Sequence, residues 1–446
     1  MNQELSRRRF VTSSLATGAA LAFLPREMAR AAAAPSNKIV LAVAGIHGRG
    51  LELINKFAAI PGVEFKYVVD VNRDYLPKAV KATEKAQGHA PQTETDFRRV
   101  LEDKEVDALI VATPDHWHAP MATLAVKAGK HVYVEKPCSH NPREGEILVE
   151  VAKNHQRLVQ MGSQRRSMVN LQQMVKEIHE GVIGQVFLAQ CFYSRRRGPI
   201  GFGKEIAPPA GLDWDLWQGP APRTAYRSNV APYNWHWFWR WGTGEALNNG
   251  VHLLDVARWA MGVDFPTKAS SFGGRWHEVG LDDWETPDTQ EIQLEFGPGR
   301  GISWFGRSCS TYGAPGYKDN GIVFFGNHGT LDYDGSGSYS IYDLDNKLIK
   351  SVGAVAGAKS NLTNSTDPGL DDNHSKNFID AIRGNAPLNA AIAQGHISTV
   401  LGQLGNIAQR SGRSLKIDPA NGHILNDPEA AKLWTRDYEV GWEPVV

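Results

Sequence analysis

The chain has 446 residues, 42% hydrophobic and 22% charged, with 48 basic side chains against 48 acidic ones. That length is too great for one ordinary core, so two domains are expected, and the composition is globular. A formal charge of zero offers no basic excess for nucleic acid, and beyond residue 34 no apolar run is long enough to span a bilayer.

Ser6-Arg7-Arg8-Arg9-Phe10-Val11 matches a twin-arginine pattern, followed by the mildly apolar Leu15 to Leu24 and an alanine-rich tract ending at Ala34. Residues 1–34 therefore read as an export signal cleaved between Ala29 and Ala34, placing the protein in the periplasm or otherwise outside the cytoplasm. Twin-arginine export carries folded chains, so a nucleotide site behind such a signal implies a cofactor loaded beforehand and tightly bound. Cys138, Cys191 and Cys309 suit a chain folded in a reducing compartment, and their odd number and wide spacing exclude the usual zinc patterns. No metal site is expected.

Residues 35–162 alternate apolar runs with helical segments. The strand Lys38 to Ala44 leads into the turn Gly45-Ile46-His47-Gly48-Arg49-Gly50, a helical stretch from Leu51, and a second strand, Phe65 to Val69, ending at Asp70. Strand, glycine turn, helix, strand, acid is the order of a dinucleotide site: the turn lets backbone N–H groups approach the pyrophosphate, and the acid accepts from ribose hydroxyls. Asp70 follows Gly45 by 25 residues, against roughly 20 for the motif. The match is imperfect, because His47 stands where a middle glycine belongs and Gly48 comes one position late. A carboxylate at Asp70 favours NAD over NADP, although Asn72 and Arg73 leave NADP open. Strands at Ala108 to Ala112, His131 to Val134 and Leu158 to Met161 complete an expected doubly wound parallel sheet, with Asp70, Thr113 and Glu135-Lys136-Pro137 beyond its carboxyl ends.

After Gly162 the rhythm changes. A helix over Asn170 to Glu180, a strand from Val186 to Tyr193, a long loop rich in Gly and Pro, a helix over Val251 to Met261 and alternating strands between Ser270 and Asp332 predict an α+β domain. It occupies residues 163–446 and carries an open, largely antiparallel sheet. Helical periodicity resumes from Asn373 and runs through Ile392 to Ile407. The segment after Ser411 reads as irregular and Ser351 to Thr366 as a mobile loop.

The segment Thr113-Pro114-Asp115-His116-Trp117-His118 and the triplet Glu135-Lys136-Pro137 are more specific than the glycine turn. With them the chain, from about Lys38 to Pro419, resembles the Gfo/Idh/MocA family of NAD(P)-dependent oxidoreductases. The resemblance implies that Lys136 contacts both nicotinamide and a substrate hydroxyl, with a cis bond before Pro137. Thr113, Pro114, Trp117, His118 and Glu135 then line the nucleotide with the turn residues, and Trp117 packs beside the nicotinamide. No metal set is demanded by His116 and His118.

Asn248-Asn249-Gly250-Val251-His252-Leu253-Leu254-Asp255 is the second chemical signal. The family pattern here is Asp-x-Gly-x-His-x-x-Asp, so His252 and Asp255 match while Asn248 replaces the first acid. An amide cannot take the proton that leaves an alcohol as hydride departs, and imidazole can. That makes His252 the expected general base, Asn248 an orienting group and Lys136 the stabiliser of developing alkoxide. Asp255 is a candidate substrate contact with Asn248 and His252, where it would accept a proton, or else it ties down a loop.

Six of the 13 tryptophans fall between Trp214 and Trp241. Aromatic faces stack on pyranose rings, so Trp235, Trp237 and Arg240 are candidate sugar contacts, with packing of a domain interface as the equal alternative. Arg195-Arg196-Arg197 reads as a solvated charge run or a grip for an acidic sugar. The expected protein is an exported oxidoreductase that oxidises a hydroxyl of a sugar or glycoside with retained NAD. By resemblance it is a homo-oligomer, dimer or tetramer, built through the open sheet. Two alternatives stand beside it: an NAD-dependent glycoside hydrolase working by transient C3 oxidation, elimination and water addition, and a non-catalytic sugar-sensing binding protein.

Overall fold

Short apolar strands separated by helices make a stable sheet only when both of its faces are covered. The computed structural model, which describes residues 38–313, 319–353 and 370–446, has this arrangement in its first half. Strands β1 (Ile39–Ala44), β2 (Val63–Val69), β3 (Gln92–Glu94), β4 (Ala108–Val111), β5 (His131–Val134) and β6 (Val159–Met161) pair in parallel in the order β3-β2-β1-β4-β5-β6. Because the chain order reverses at β1, between β2 and β4, the crevice beyond its carboxyl end is the ligand position of a doubly wound sheet. The three polar residues of β3 carry no apolar alternation, which is why only the structure reveals that edge. The expected export signal and residues 354–366 of the expected mobile loop lie outside the described residues, while Ser351 and Val352 at the start of that loop belong to the strand Leu348–Val352.

The second sheet has ten strands: β7 (Val186–Ser194), β8 (Lys268–Gly274), β9 (Thr289–Phe296), β10 (Arg300–Arg307), β11 (Asn320–Gly326), β12 (Thr330–Tyr333), β13 (Tyr339–Tyr342), β14 (Leu348–Val352), β15 (Leu415–Ile417) and β16 (Ile424–Leu425). It is antiparallel except where β7 runs parallel to β10. Along β9, buried Ile292 and Leu294 alternate with exposed Gln293 and Glu295, so one face meets the core and the other stays open. The buried face packs on the helices Val169–His179, Val251–Met261 and Ile392–Ser411. The irregular reading after Ser411 is corrected here: Leu415 and Ile417 are buried, and β15 extends the sheet at β8.

Two late helices tie the sheets together. Phe378 and Ile379 of the helix Leu370–Ile382 enter the same core as Phe57 and Tyr133 beside the first sheet. Along the helix Ile392–Ser411, Gly395 faces Met161, Gly402 faces Leu247 and Gly405 faces Ile292, so a bare backbone passes close to all three. A Cβ at Gly405 would lie 2.2 Å from Ile292 Cδ1 and within 2.8 Å of Cγ2. Overpacking of that kind costs roughly 1–3 kcal/mol, while helix propensity returns at most about 1. Gly405→Ala should therefore lower the thermal midpoint; an unchanged or raised midpoint would show that the helix can move away.

Candidate functional site

The carboxyl ends of the first sheet open on a cavity of about 1160 Å³. A single small-molecule site spans roughly 300–1,000 Å³, so this one has room for a dinucleotide and a second ligand. Gly45 begins it with φ +83°, its N–H donating to Val69 O at 3.0 Å, and a Cβ there would lie 2.5 Å from Ala112 O. Gly48, with open space at its Cα, precedes the helix Arg49–Ala58, leaving first-turn N–H groups accessible to an anion. His47 is exposed and its ring lies 4.4 Å from that of Tyr75, on the same wall. Gly50 is a correction: it does not line the cavity, and a Cβ would meet Gly45 O at 2.0 Å, so its part is to pack the helix against the turn.

Asp70 accepts the N–H groups of Ile46 at 3.0 Å and Asn72 at 2.9 Å, and burial still pushes its pKa up to about 6. Thr113 and Pro114 also line the cavity, and Thr113 Oγ1 is buried without a partner. His118 joins the two neighbouring strand ends, Nδ1 lying 2.6 Å from Pro137 O and Nε2 2.8 Å from Thr113 O. Trp117 forms part of the wall while its indole N–H donates to Trp217 O at 3.0 Å. The open glycine turn, the acid at the end of β2 and the orphaned Thr113 hydroxyl fit a nicotinamide dinucleotide.

The Lys136–Pro137 peptide is cis. Glu135 does not pair with Lys136 Nζ; its carboxylate accepts Arg49 Nε at 2.8 Å, and the same guanidinium reaches Asp371 at 2.7 Å and Glu52 at 3.2 Å. Lys136 Nζ instead donates to Asn248 O at 2.7 Å and Oδ1 at 3.3 Å. Burial lowers the ammonium pKa, opposed by Glu135 and Asp115. Asn248 lies in a π-helical turn, Ala246–Gly250, that runs into the helix Val251–Met261, a local irregularity that often marks functional positions. One turn on, His252 Nδ1 is buried without a partner, and burial followed by the Lys136 charge holds its pKa well below the usual value. The ring is a neutral base facing the cavity.

Three polar residues of this region stand outside the expected set. Glu245 is buried, paired with Arg197, and accepts from Asn249 Nδ2 four residues on, a helical spacing visible in the sequence. Asp115, inside the Thr-Pro segment, accepts Thr243 Oγ1, and burial raises its pKa. Gln164 lines the cavity with Oε1 buried and unpartnered, and no sequence signal marks it.

Two expected substrate contacts are corrected. Asp255 is buried away from the cavity, its carboxylate gripping Arg166 at 2.8–3.0 Å and accepting Ser398 Oγ, so it ties down the turn after β6. Arg240 is exposed, with Nη1 donating to Pro222 O at 3.1 Å, and it does not line the cavity. Among the tryptophans packing dominates. Trp214, Trp217, Trp235 and Trp241 form a buried cluster with Tyr226 and Phe238, and Trp237 stacks on Trp284 at 4.1 Å under the Arg197 guanidinium. Of these, Trp217, Trp235 and Trp237 also line the cavity. Cys138 is buried off the cavity, its thiol pushed up to about 11 by burial, and among the described residues no three metal-ligating side chains cluster.

Residues 39–163 match the oxidoreductase family model described as an NAD-binding Rossmann fold, and residues 171–332 match the GFO/IDH/MocA C-terminal domain. A glycosyl hydrolase family 109 protein of Saccharopolyspora erythraea is 30% identical over 251 residues, covering 50% of this chain and 54% of that protein. Another, from Shewanella sp. strain ANA-3, is 28% identical over 159 residues, a third of each chain (33%). The match thus spans about half the length of the first relative. Levoglucosan dehydrogenase, solved with NADH and levoglucosan, superposes with a TM-score of 0.63 at 17% identity, over 85% of this chain and 99% of that one, a likeness of fold.

The buried imidazoles predict acid lability. His116 is pushed down to about 3 and His396 to about 4, mainly by burial, and His140, His236 and His252 lie well below the usual value. An unfolded imidazole protonates near pH 6.5. Between there and about pH 4 the unfolded chain binds more protons, so stability falls as pH falls. Asp70, raised to about 6, and Asp115 and Glu52, also raised by burial, work the other way but are three groups against five. His116 and His396 alone should cost about 4 kcal/mol by pH 5. Thermal melts at pH 7.5 and 5 check this, and equal midpoints would contradict the neutral, buried state of these rings.

Proposed function

The chain belongs to the Gfo/Idh/MocA oxidoreductase family, and from that membership we propose that it oxidises a hydroxyl of a sugar or glycoside with NAD. The observation that carries this reading is the meeting of Lys136 Nζ, Asn248 and the unpartnered His252 Nδ1 at a cavity that begins on the glycine turn. The bound nucleotide supplies the hydride acceptor. His252, neutral and desolvated, takes the hydroxyl proton. Lys136, held by the Asn248 carbonyl, presents positive charge where alkoxide develops, and its lowered pKa lets it pass a proton on. The Asn248 amide orients the substrate. Trp235 and Trp237, which line the same cavity, supply apolar surface for a sugar ring.

The relatives named glycosyl hydrolase family 109 favour a second reading on the same residues. Transient oxidation acidifies the adjacent C–H, the leaving group departs, water adds and the ketone is reduced. The twin-arginine pattern at Ser6 to Val11 supports export, and export of a folded chain supports a tightly held nucleotide. The open face of the ten-stranded sheet, with Phe187 exposed, supports assembly as a dimer or tetramer.

The protein as purified, mixed with chromogenic glycosides and no added acceptor, should reduce its bound nucleotide, read by nicotinamide absorbance. Keto-sugar accumulation supports oxidation, aglycone release supports net hydrolysis, and neither outcome across a broad panel would favour a binding protein.

His252→Ala should slow hydride transfer by about 10²–10⁴-fold. Asn248→Asp places a carboxylate beside Lys136 and one helical turn before His252, which raises the imidazole pKa. The acidic limb of the rate profile then moves to higher pH at constant nucleotide content. An unmoved limb together with a small loss in His252→Ala would shift the base role to Lys136.

A further inference from the structure

Hydride abstraction uses one neutral imidazole, yet beside His47 on the nucleotide turn and His118, whose ring nitrogens are both engaged, two more line the cavity. The second, His236, lies in the 3₁₀ turn Asn234–Trp237, and the chain around it is built to hold it there. Its carbonyl accepts the Gly244 N–H at 3.1 Å, and a Cβ on Gly242 would lie 2.5 Å from the His236 Cα. Only glycine lets the segment leading to Asn248 close over this turn. The ring stacks on Trp235 with centroids 3.6 Å apart and 20° between planes, and its Nδ1 lies 2.6 Å from Tyr233 O. A carbonyl only accepts, so Nδ1 carries the hydrogen and Nε2 the lone pair. Burial, reinforced by the charges of Lys136 and Arg197 and opposed by the Tyr233 bond, keeps the ring neutral. A positioned imidazole with a defined basic nitrogen is more than an aromatic wall requires.

We propose that His236 Nε2 is a second proton acceptor of this site, taking the C–H proton from the carbon next to the one that loses hydride. This rests on the oxidation reading above. Hydride leaves the carbinol carbon for the nicotinamide dinucleotide and the hydroxyl proton passes to His252, giving a ketone. The neighbouring C–H proton then moves to His236 Nε2 while its electron pair enters an enediolate. Return of the proton restores the ketone. Departure of a leaving group from the next carbon, protonated as it goes, yields an enone that adds water before hydride returns. The balance is glycoside plus water to sugar plus aglycone, with no net change in the nucleotide. Simple oxidation needs only His252, so His236 equips the site for the hydrolytic outcome.

Two measurements decide it. In ¹⁵N-histidine spectra of nucleotide-loaded protein at pH 7, His236, assigned by its loss in His236→Gln, should be the neutral Nδ1–H tautomer; an Nε2–H or doubly protonated ring overturns the proposal. In D₂O, methyl 3-keto-β-D-glucopyranoside supplies the ketone directly and bypasses hydride transfer. Wild type should introduce deuterium at C2, and His236→Gln should slow this by about 10²-fold. No enzymic exchange in wild type, or unchanged exchange in His236→Gln, overturns it. Reduction of bound nucleotide by methyl β-D-glucopyranoside, followed separately in both proteins, should be similar; if it is absent in both, the oxidation reading fails while the keto-sugar result still decides the role of His236.

Discussion

Arg49 is the cation that three distant segments share. Its guanidinium leaves the end of the glycine turn and meets Glu135 beyond β5, Asp371 at the head of a late helix and Glu52 on its own helix. Burial works against that charge, and Glu135 with Asp371 overrides the penalty. A buried ion pair of this sort is weak evidence for net stability, since desolvation offsets much of the attraction. Its effect is positional. With Glu135 turned toward Arg49, the Lys136 ammonium meets no carboxylate among the described residues and goes to Asn248. A Cβ at Gly162 would lie 2.8 Å from Glu135 Oε2, so the β6 end is also shaped around this carboxylate. The orientation of the candidate catalytic lysine is thus set through Glu135 by a residue at the end of the glycine turn.

The tryptophan-rich segment is a second scaffold. Trp117, on the helix Asp115–Lys127 after β4, bonds Trp217 O and meets Trp442 edge-on at 5.0 Å, while Arg436 pairs with Glu144 and reaches His116 O. The nucleotide-side helix, the aromatic cluster and the chain's last residues therefore brace one another around the cavity rim. Stacked and edge-on aromatic pairs each add about 0.5–1.5 kcal/mol beyond burial. A cluster of this density makes a rigid wall, and rigidity is what a site needs to hold His236 and Trp237 in place.

What the sequence discloses follows from periodicity and local chemistry. The parallel sheet, the mixed second sheet and the helix carrying His252 are legible because alternation and apolar runs report burial directly. Lys136, Asn248 and His252 are brought together as their motifs imply. Asp255 and Arg240 are misplaced by the same reasoning, because a motif position says nothing about which way a side chain turns; a buried Arg166, 89 residues away in sequence, captures Asp255. The roles of Glu245 and Asp115 depend on partners such as Arg197 and Thr243 that only the folded chain brings near. β15 and β16 escape because strands of three and two residues carry no period to detect.

The asparagine at position 248 gives the site its electrostatic character. A carboxylate there would neutralise Lys136 and shield the imidazoles, whereas an amide leaves the ammonium charge to act on both His252 and His236. That charge, added to burial, holds two bases neutral at the pH where they would otherwise begin to protonate. The buried acids are engaged elsewhere, Asp115 on the cavity wall bonded to Thr243 and Glu245 paired with Arg197, so they temper the field without competing for the substrate proton. The amide at 248 and the presence of a second positioned imidazole belong to one arrangement, in which proton transfer is assigned to nitrogen bases and the Lys136 ammonium beside them is held by a backbone carbonyl.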